Sequence, residues 1–139
     1  MRKENKTGLQ IMIIDNDKYV RGSLTTFFGQ GAIKLLIFKT ALEGLNALKY
    51  QNVSVVISDY FLPDMNGLSF LKQVGRQYPD ITRIMMSTIV SDELKIDAAV
   101  EGIEALIEKP ISVSSIERIL NKKNKQCSTH KTPETKDER

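Results

Sequence analysis

Short apolar runs punctuate this chain, and most of them end on a residue that can do chemistry. Ile11-Met12-Ile13-Ile14 leads to Asp15, and Val53-Ser54-Val55-Val56-Ile57 leads through Ser58 to Asp59. Ile84-Met85-Met86 leads to Ser87, and Ala105-Leu106-Ile107-Glu108 leads to Lys109 and Pro110. Continuous apolar runs of this length read as strands buried on both faces. A further strand is expected over residues 33–38. Between the strands the periodicity turns helical. Tyr19, Leu24, Phe27 and Phe28 carry a helix over 18–28, with Asp17 placed to cap it and Gly29-Gln30-Gly31 to end it. Leu42, Leu45 and Leu48 mark a second over 41–50, and Asn66-Gly67 opens a third that reaches Gln77. Residues 91–101 form a fourth, closed by Gly102, and 112–122 a fifth with Val113, Ile116, Ile119 and Leu120 as its apolar face. Strands alternating with helices predict parallel βαβ units, hence an α/β doubly wound sheet of five strands and five helices. In such sheets ligands collect at the carboxyl ends of the strands. Asp15, Asp59, Ser87 and Lys109 are all expected there, a set suited to a divalent cation and a phosphoryl group together.

Composition narrows the class without changing this picture. A length of 139 residues with 41% hydrophobic and 27% charged positions fits one globular domain with a single core. No apolar run approaches the roughly 18 residues needed to span a bilayer. The charged start, Met1 to Lys6, has no signal-peptide stretch, so a cytoplasmic protein with no membrane contact is expected. Cys127 is the only cysteine, which excludes an intrachain disulfide and a cysteine-rich metal site. The pI near 9.0 invites a nucleic-acid reading. From Lys122 onward, however, six basic residues face three acids, which accounts for the whole net charge of +3. The rest is balanced, so nucleic-acid binding by this chain alone is not expected. The organisation read from sequence is an N-terminal extension over 1–8, a domain over 9–121 and a polar basic tail or linker over 122–139.

The order and spacing of Asp15, Asp59, Ser87 and Lys109-Pro110 resemble the receiver domain of two-component response regulators. Leu62-Pro63-Asp64-Met65-Asn66-Gly67 is similar to the loop after that family's phosphoacceptor aspartate. The resemblance spans about residues 10–120. It implies the flavodoxin-like strand order 2-1-3-4-5. It also implies that Asp59 accepts a phosphoryl group from a sensor histidine kinase or phosphotransfer protein. Mg²⁺ would be held by Asp59, one residue of the Asp15-Asn16 pair and the backbone carbonyl of Phe61. Lys109 would meet one phosphoryl oxygen and Ser87 another. The chain would then be a phosphoacceptor rather than an enzyme acting on other molecules. It would signal to a downstream effector protein or a C-terminal output domain. The surface would be built from the fourth helix, fifth strand and fifth helix, including Leu94, Ala98, Leu106 and Val113.

Three positions depart from the family pattern. Asn16 stands where a second acid is usual and brings an oxygen without a charge, which weakens the expected metal site. Leu106 stands where an aromatic switch residue is common. Thr88 replaces a smaller residue beside the phosphoryl site. Phe61 and Ile89, each two residues beyond a site residue, are apolar and unable to orient an attacking water, so a long-lived acyl phosphate is expected. Pro110 is consistent with the family's cis Lys-Pro bond. Two other readings stay open at this point. One is a receiver-like binding module that signals without phosphorylation, favoured by Asn16 and Leu106. The other is a phosphatase of the haloacid-dehalogenase kind, for which Asp15-Asn16-Asp17 resembles the first motif. Nothing acidic follows Lys109 on a strand, as that family requires.

Overall fold

The computed structural model describes residues 9–17, 34–109, 114–115 and 117–118. Its parallel strands are β1 (Gln10–Ile14), β2 (Lys34–Phe38), β3 (Val55–Asp59), β4 (Thr82–Ser87) and β5 (Ala105–Glu108), in the order β2-β1-β3-β4-β5. That is the 2-1-3-4-5 order expected, with the crossover centred on β1 and β3. Three helices lie among the described residues: α1 (Ala41–Leu48), α2 (Gly67–Gln77) and α3 (Asp92–Val100). Residues 114, 115, 117 and 118 are also helical, within the stretch expected to form the last helix. The extension over 1–8, the helix expected over 18–28, the Lys109-Pro110 bond and the tail over 122–139 lie outside the described residues.

The helices start where side chains can satisfy the free N–H groups of a first turn. Thr40 caps α1 and forms a reciprocal capping box with Glu43. Asn66 accepts from the Ser69 N–H at 2.8 Å, and Ser91 accepts from the Leu94 N–H at 3.0 Å. At the other end of α3, Gly102 takes φ = 79°, a left-handed conformation that closes the helix.

Alternation along the strands divides the core in two. Met12, Ile14, Val56 and Met85 face α1 and α2 and pack with Phe70, Leu71 and Val74. Ile11, Ile13, Val55, Ile57, Ile84 and Met86 form the other face and are equally withdrawn from solvent. Burying an aliphatic side chain of this size contributes about 1.5–3 kcal/mol, so this double-sided core fixes the sheet firmly.

At the amino edge of the sheet, Arg83 of β4 ties two helices together. Its Nη1 donates to the Leu71 carbonyl at 2.9 Å in α2, and its Nη2 donates to the Glu101 carbonyl at 2.7 Å at the end of α3. The guanidinium lies against Gly75, where a Cβ would collide with it, and close to Gly102, where a Cβ would crowd it. Lys72 and Glu101 reinforce the link with an ion pair at 3.5 Å.

Candidate functional site

The opposite edge gathers the expected residues. Asp15 follows β1, Asp59 ends β3, Ser87 ends β4 and Lys109 follows β5. Their backbones remain tied to the ladder. The Asp15 N–H donates to Phe38 O at 3.0 Å, the Tyr60 N–H to Met86 O at 2.7 Å and the Lys109 N–H to Ser87 O at 2.8 Å. A site carried on hydrogen-bonded strand ends holds its geometry better than one on free loops.

Lys109 Nζ lies 3.1 Å from Asp15 Oδ2 and 3.0 Å from Asp59 Oδ2. All three side chains are almost wholly buried. One cation thus joins carboxylates from two non-consecutive elements. Burial pushes the Asp15 pKa above the usual carboxylate value, and the Asp17 N–H and the Lys109 charge offset only part of that. For Lys109, burial works against the ammonium, but the bonds and charges of Asp59 and Asp15 outweigh it and its pKa is raised. Asp59 Oδ1 accepts from the Phe61 N–H at 3.2 Å, and Asp15 Oδ1 accepts from the Asp17 N–H at 2.8 Å.

The remaining expected residues surround this centre with less contact to it. The Ser87 hydroxyl is buried and pairs with Ile89, donating to its carbonyl at 2.7 Å while the Ile89 N–H approaches the hydroxyl oxygen at 3.2 Å. It must turn to serve a group on Asp59. Asn16 and Thr88 are exposed beside the cluster. Phe61 and Ile89 are 52% and 64% exposed, so they rim the approach to Asp59 rather than seal it. Leu106 is half-buried and packs against the main core. No group of three or more acids, histidines or cysteines forms a metal cage among the described residues. The donor set still suits a hard cation. Two carboxylates converge on one point, and oxygen ligands of this kind fit Mg²⁺.

Two residues matter here in ways the sequence did not disclose. Gly67 opens α2 directly over Asp59: a Cβ there would overlap the Asp59 carbonyl oxygen and crowd Tyr60. The Gly67 N–H meets Tyr60 O at 2.6 Å, and Phe61 bridges to Asn66, so the loop folds back tightly on the end of β3. Asp64, at the tip of that loop, reaches across to α1. Its Oδ1 accepts from the Ala41 N–H at 3.0 Å and its Oδ2 from the Leu42 N–H at 2.9 Å. Slight burial works against its charge, yet these backbone bonds prevail and hold its pKa below the usual value. Its acidity and its place in a tight loop were the only local signals, because the partner lies 23 residues upstream.

The expected partner surface needs a correction on α3. Ala98 is buried in the core, and Leu94 is half-buried, with one side packed against the core. The exposed apolar residues are instead Ile96 and Val100, at 62% and 77%. Leu94–Ala98 and Ile96–Val100 are two apolar stripes about 200° apart on one helix, and the sheet takes the first. Val113 lies outside the described residues.

Comparison with known proteins agrees with this geometry. The family model described as Response regulator receiver domain matches residues 11–121. The chain is 28% identical over 103 residues to the DNA-binding transcriptional regulator NtrC of Proteus hauseri, covering 74% of this chain and 22% of that protein. It is 31% identical over 111 residues to a protein-glutamate methylesterase/protein-glutamine glutaminase of Bradyrhizobium diazoefficiens, covering 75% of this chain and 27% of the relative. The chain therefore spans about a quarter of the length of these curated relatives. Among solved structures, a CheY-like response regulator receiver domain protein from Methanospirillum hungatei superposes with a TM-score of 0.79 at 26% identity. That match covers 86% of this chain and 97% of the other.

Proposed function

The chain belongs to the response regulator receiver domains of two-component systems, and within that family we propose that Asp59 is the phosphoacceptor. An Asp59 oxygen attacks the phosphorus of a phosphohistidine on a sensor kinase or phosphotransfer protein. A P–O bond forms as the P–N bond breaks, and the imidazole leaves with the electron pair. The observation that carries this reading is the Lys109 ammonium held 3.0 Å from Asp59 Oδ2 and 3.1 Å from Asp15 Oδ2. Phosphoryl transfer relies on positioning and on neutralising charge at the phosphoryl oxygens. Lys109 is close enough to transfer its contact from the carboxylate to an incoming phosphoryl oxygen, and the Ser87 hydroxyl would meet another after leaving Ile89.

Mg²⁺ would be held by Asp59, by Asp15 or the Asn16 oxygen, and by the Phe61 carbonyl. Bound there, it supplies further positive charge at the phosphoryl oxygens. Asn16 keeps that site one charge poorer than a pair of acids would. The output passes to an effector protein or output domain; two relatives carry this region beside other activities, one a DNA-binding regulator and one a methylesterase. Membership in the receiver family sets aside the phosphatase alternative.

Incubation with acetyl phosphate or phosphoramidate and Mg²⁺, followed by intact mass, tests the proposal. Wild type should gain one phosphoryl group and Asp59→Asn none. No gain in wild type would favour the phosphorylation-independent binding module, and labelling of Asp59→Asn would move the acceptor elsewhere.

A further inference from the structure

Beside Asp59, on the flank toward α3, lies an open depression of about 310 Å³. Phe61, Ile89 and Leu94 give it apolar walls, and Tyr60 adds a second ring, set edge-to-face to Phe61 with centroids 4.9 Å apart. Glu93 and Asp97, one turn apart on α3, bring two carboxylates to the same hollow. The neighbouring cations are committed elsewhere, Lys95 to Asp92 and Lys72 to Glu101. Among the described residues neither Glu93 nor Asp97 has an ion pair. The hollow thus combines exposed apolar surface with uncompensated negative charge.

We propose that this depression receives an arginine side chain of a protein partner, flanked in the partner by a large apolar residue. The guanidinium would sit between Glu93 and Asp97, with its stem along Ile89 and Leu94 and the apolar neighbour on Phe61. Arginine fits better than lysine because its planar, weakly hydrated fork pairs with carboxylates and stacks on aromatic rings. Its stem also gains from apolar walls while the head keeps its charge partners. A polyanionic partner is disfavoured by the same two acids. A free metal ion would leave the apolar walls unused. A protein segment meets all of these features, and one approaching Asp59 passes over the Phe61–Ile89 rim that the hollow adjoins. Recognition of this kind does not depend on phosphotransfer, so it goes beyond the reading above.

The test uses acetyl-Leu-Arg-amide and its neutral counterpart acetyl-Leu-citrulline-amide, each titrated into the ¹⁵N-labelled full chain and followed by amide shifts. The arginine peptide should perturb Phe61, Ile89 and Leu94 and bind at least about fivefold more tightly than the citrulline peptide, the effect of two exposed charge pairs. In Glu93→Gln/Asp97→Asn the difference should disappear, with the spectrum otherwise preserved. Equal affinity of the two peptides, perturbation centred elsewhere, or discrimination surviving in the double variant would each overturn the proposal. Asp59→Asn should bind both peptides as wild type does. A chain that fails to take up phosphate yet still prefers arginine would therefore sink only the phosphoacceptor reading.

Discussion

At each edge of the sheet one cation joins two elements, and the two joints differ in what they can exchange. At the carboxyl edge Lys109 spans the carboxylates of Asp15 and Asp59. At the amino edge Arg83 spans the carbonyls of Leu71 and Glu101. An ammonium is a compact charge whose place a metal ion or a phosphoryl group's own partners can take. One such charge facing two carboxylates also leaves the cluster short of positive charge. The guanidinium, by contrast, meets neutral carbonyls in a fixed fork, and no ion competes for them. Unbalanced charge marks the candidate site at the carboxyl edge; a fixed fork on neutral carbonyls marks the structural joint at the other.

Removing each cation should separate the two roles. Lys109→Met leaves two buried carboxylates facing each other and is expected to lower unfolding free energy by about 3 kcal/mol at neutral pH. Urea titrations with and without Mg²⁺ should show part of that loss restored by the metal; a loss indifferent to Mg²⁺ would deny the cluster its role as a cation site. Arg83→Met takes the guanidinium from the Leu71 carbonyl within α2 and the Glu101 carbonyl at the end of α3, and should cost about 2 kcal/mol. The same titrations should find this loss independent of Mg²⁺, and Arg83→Lys should recover little of it.

The next effects concern the carboxyl edge alone. Asn16→Asp adds an anionic oxygen beside Asp15 and should raise Mg²⁺ affinity about tenfold, or about 1.4 kcal/mol. Equal affinities in a direct metal titration would mean that position 16 does not face the ion. Asp64→Asn should cost about 1 kcal/mol at pH 7, the scale of a lost helix cap. Because the folded pKa of Asp64 lies below its ordinary 3.8, its stabilising share is full above that value and fades as pH falls through the folded pKa. Wild type and variant should therefore converge in acid unfolding curves below pH 3.8. The smallest effect is kinetic. With Phe61 and Ile89 exposed as an apolar rim, Phe61→Asn with Ile89→Glu should shorten the lifetime of the acyl phosphate severalfold at saturating Mg²⁺. An unchanged rate would show that the apolar rim does not protect the phosphate.

Much of the candidate site was legible because it is written in local order. Strands buried on both faces read as apolar runs, and the residue closing each run is the one delivered to the site. The caps Thr40, Asn66 and Ser91 act on N–H groups three residues on, so each helix start is set locally. The structural joints were illegible for the opposite reason. Arg83 acts on carbonyls 12 and 18 residues away, and a carbonyl belongs to every residue, so nothing in the sequence singles out Leu71 or Glu101. The orientation of α3 failed to show because its two apolar stripes are equivalent until the sheet selects one.

The grip of Arg83 gives α3 the mechanics of a lever. The helix is pinned at its Glu101 end and begins, nine residues earlier, just beyond the Ser87–Ile89 segment. At 1.5 Å per residue its arm is about 13 Å long, so a 1 Å displacement beside Ser91 amounts to a tilt of about 4°. Travel shrinks along the arm: Glu93 moves nearly as far as the driven end, Ile96 about half as far, and Val100 hardly at all. A partner reading the first turn of α3 feels displacement, whereas one resting on the last turn feels only rotation beneath it.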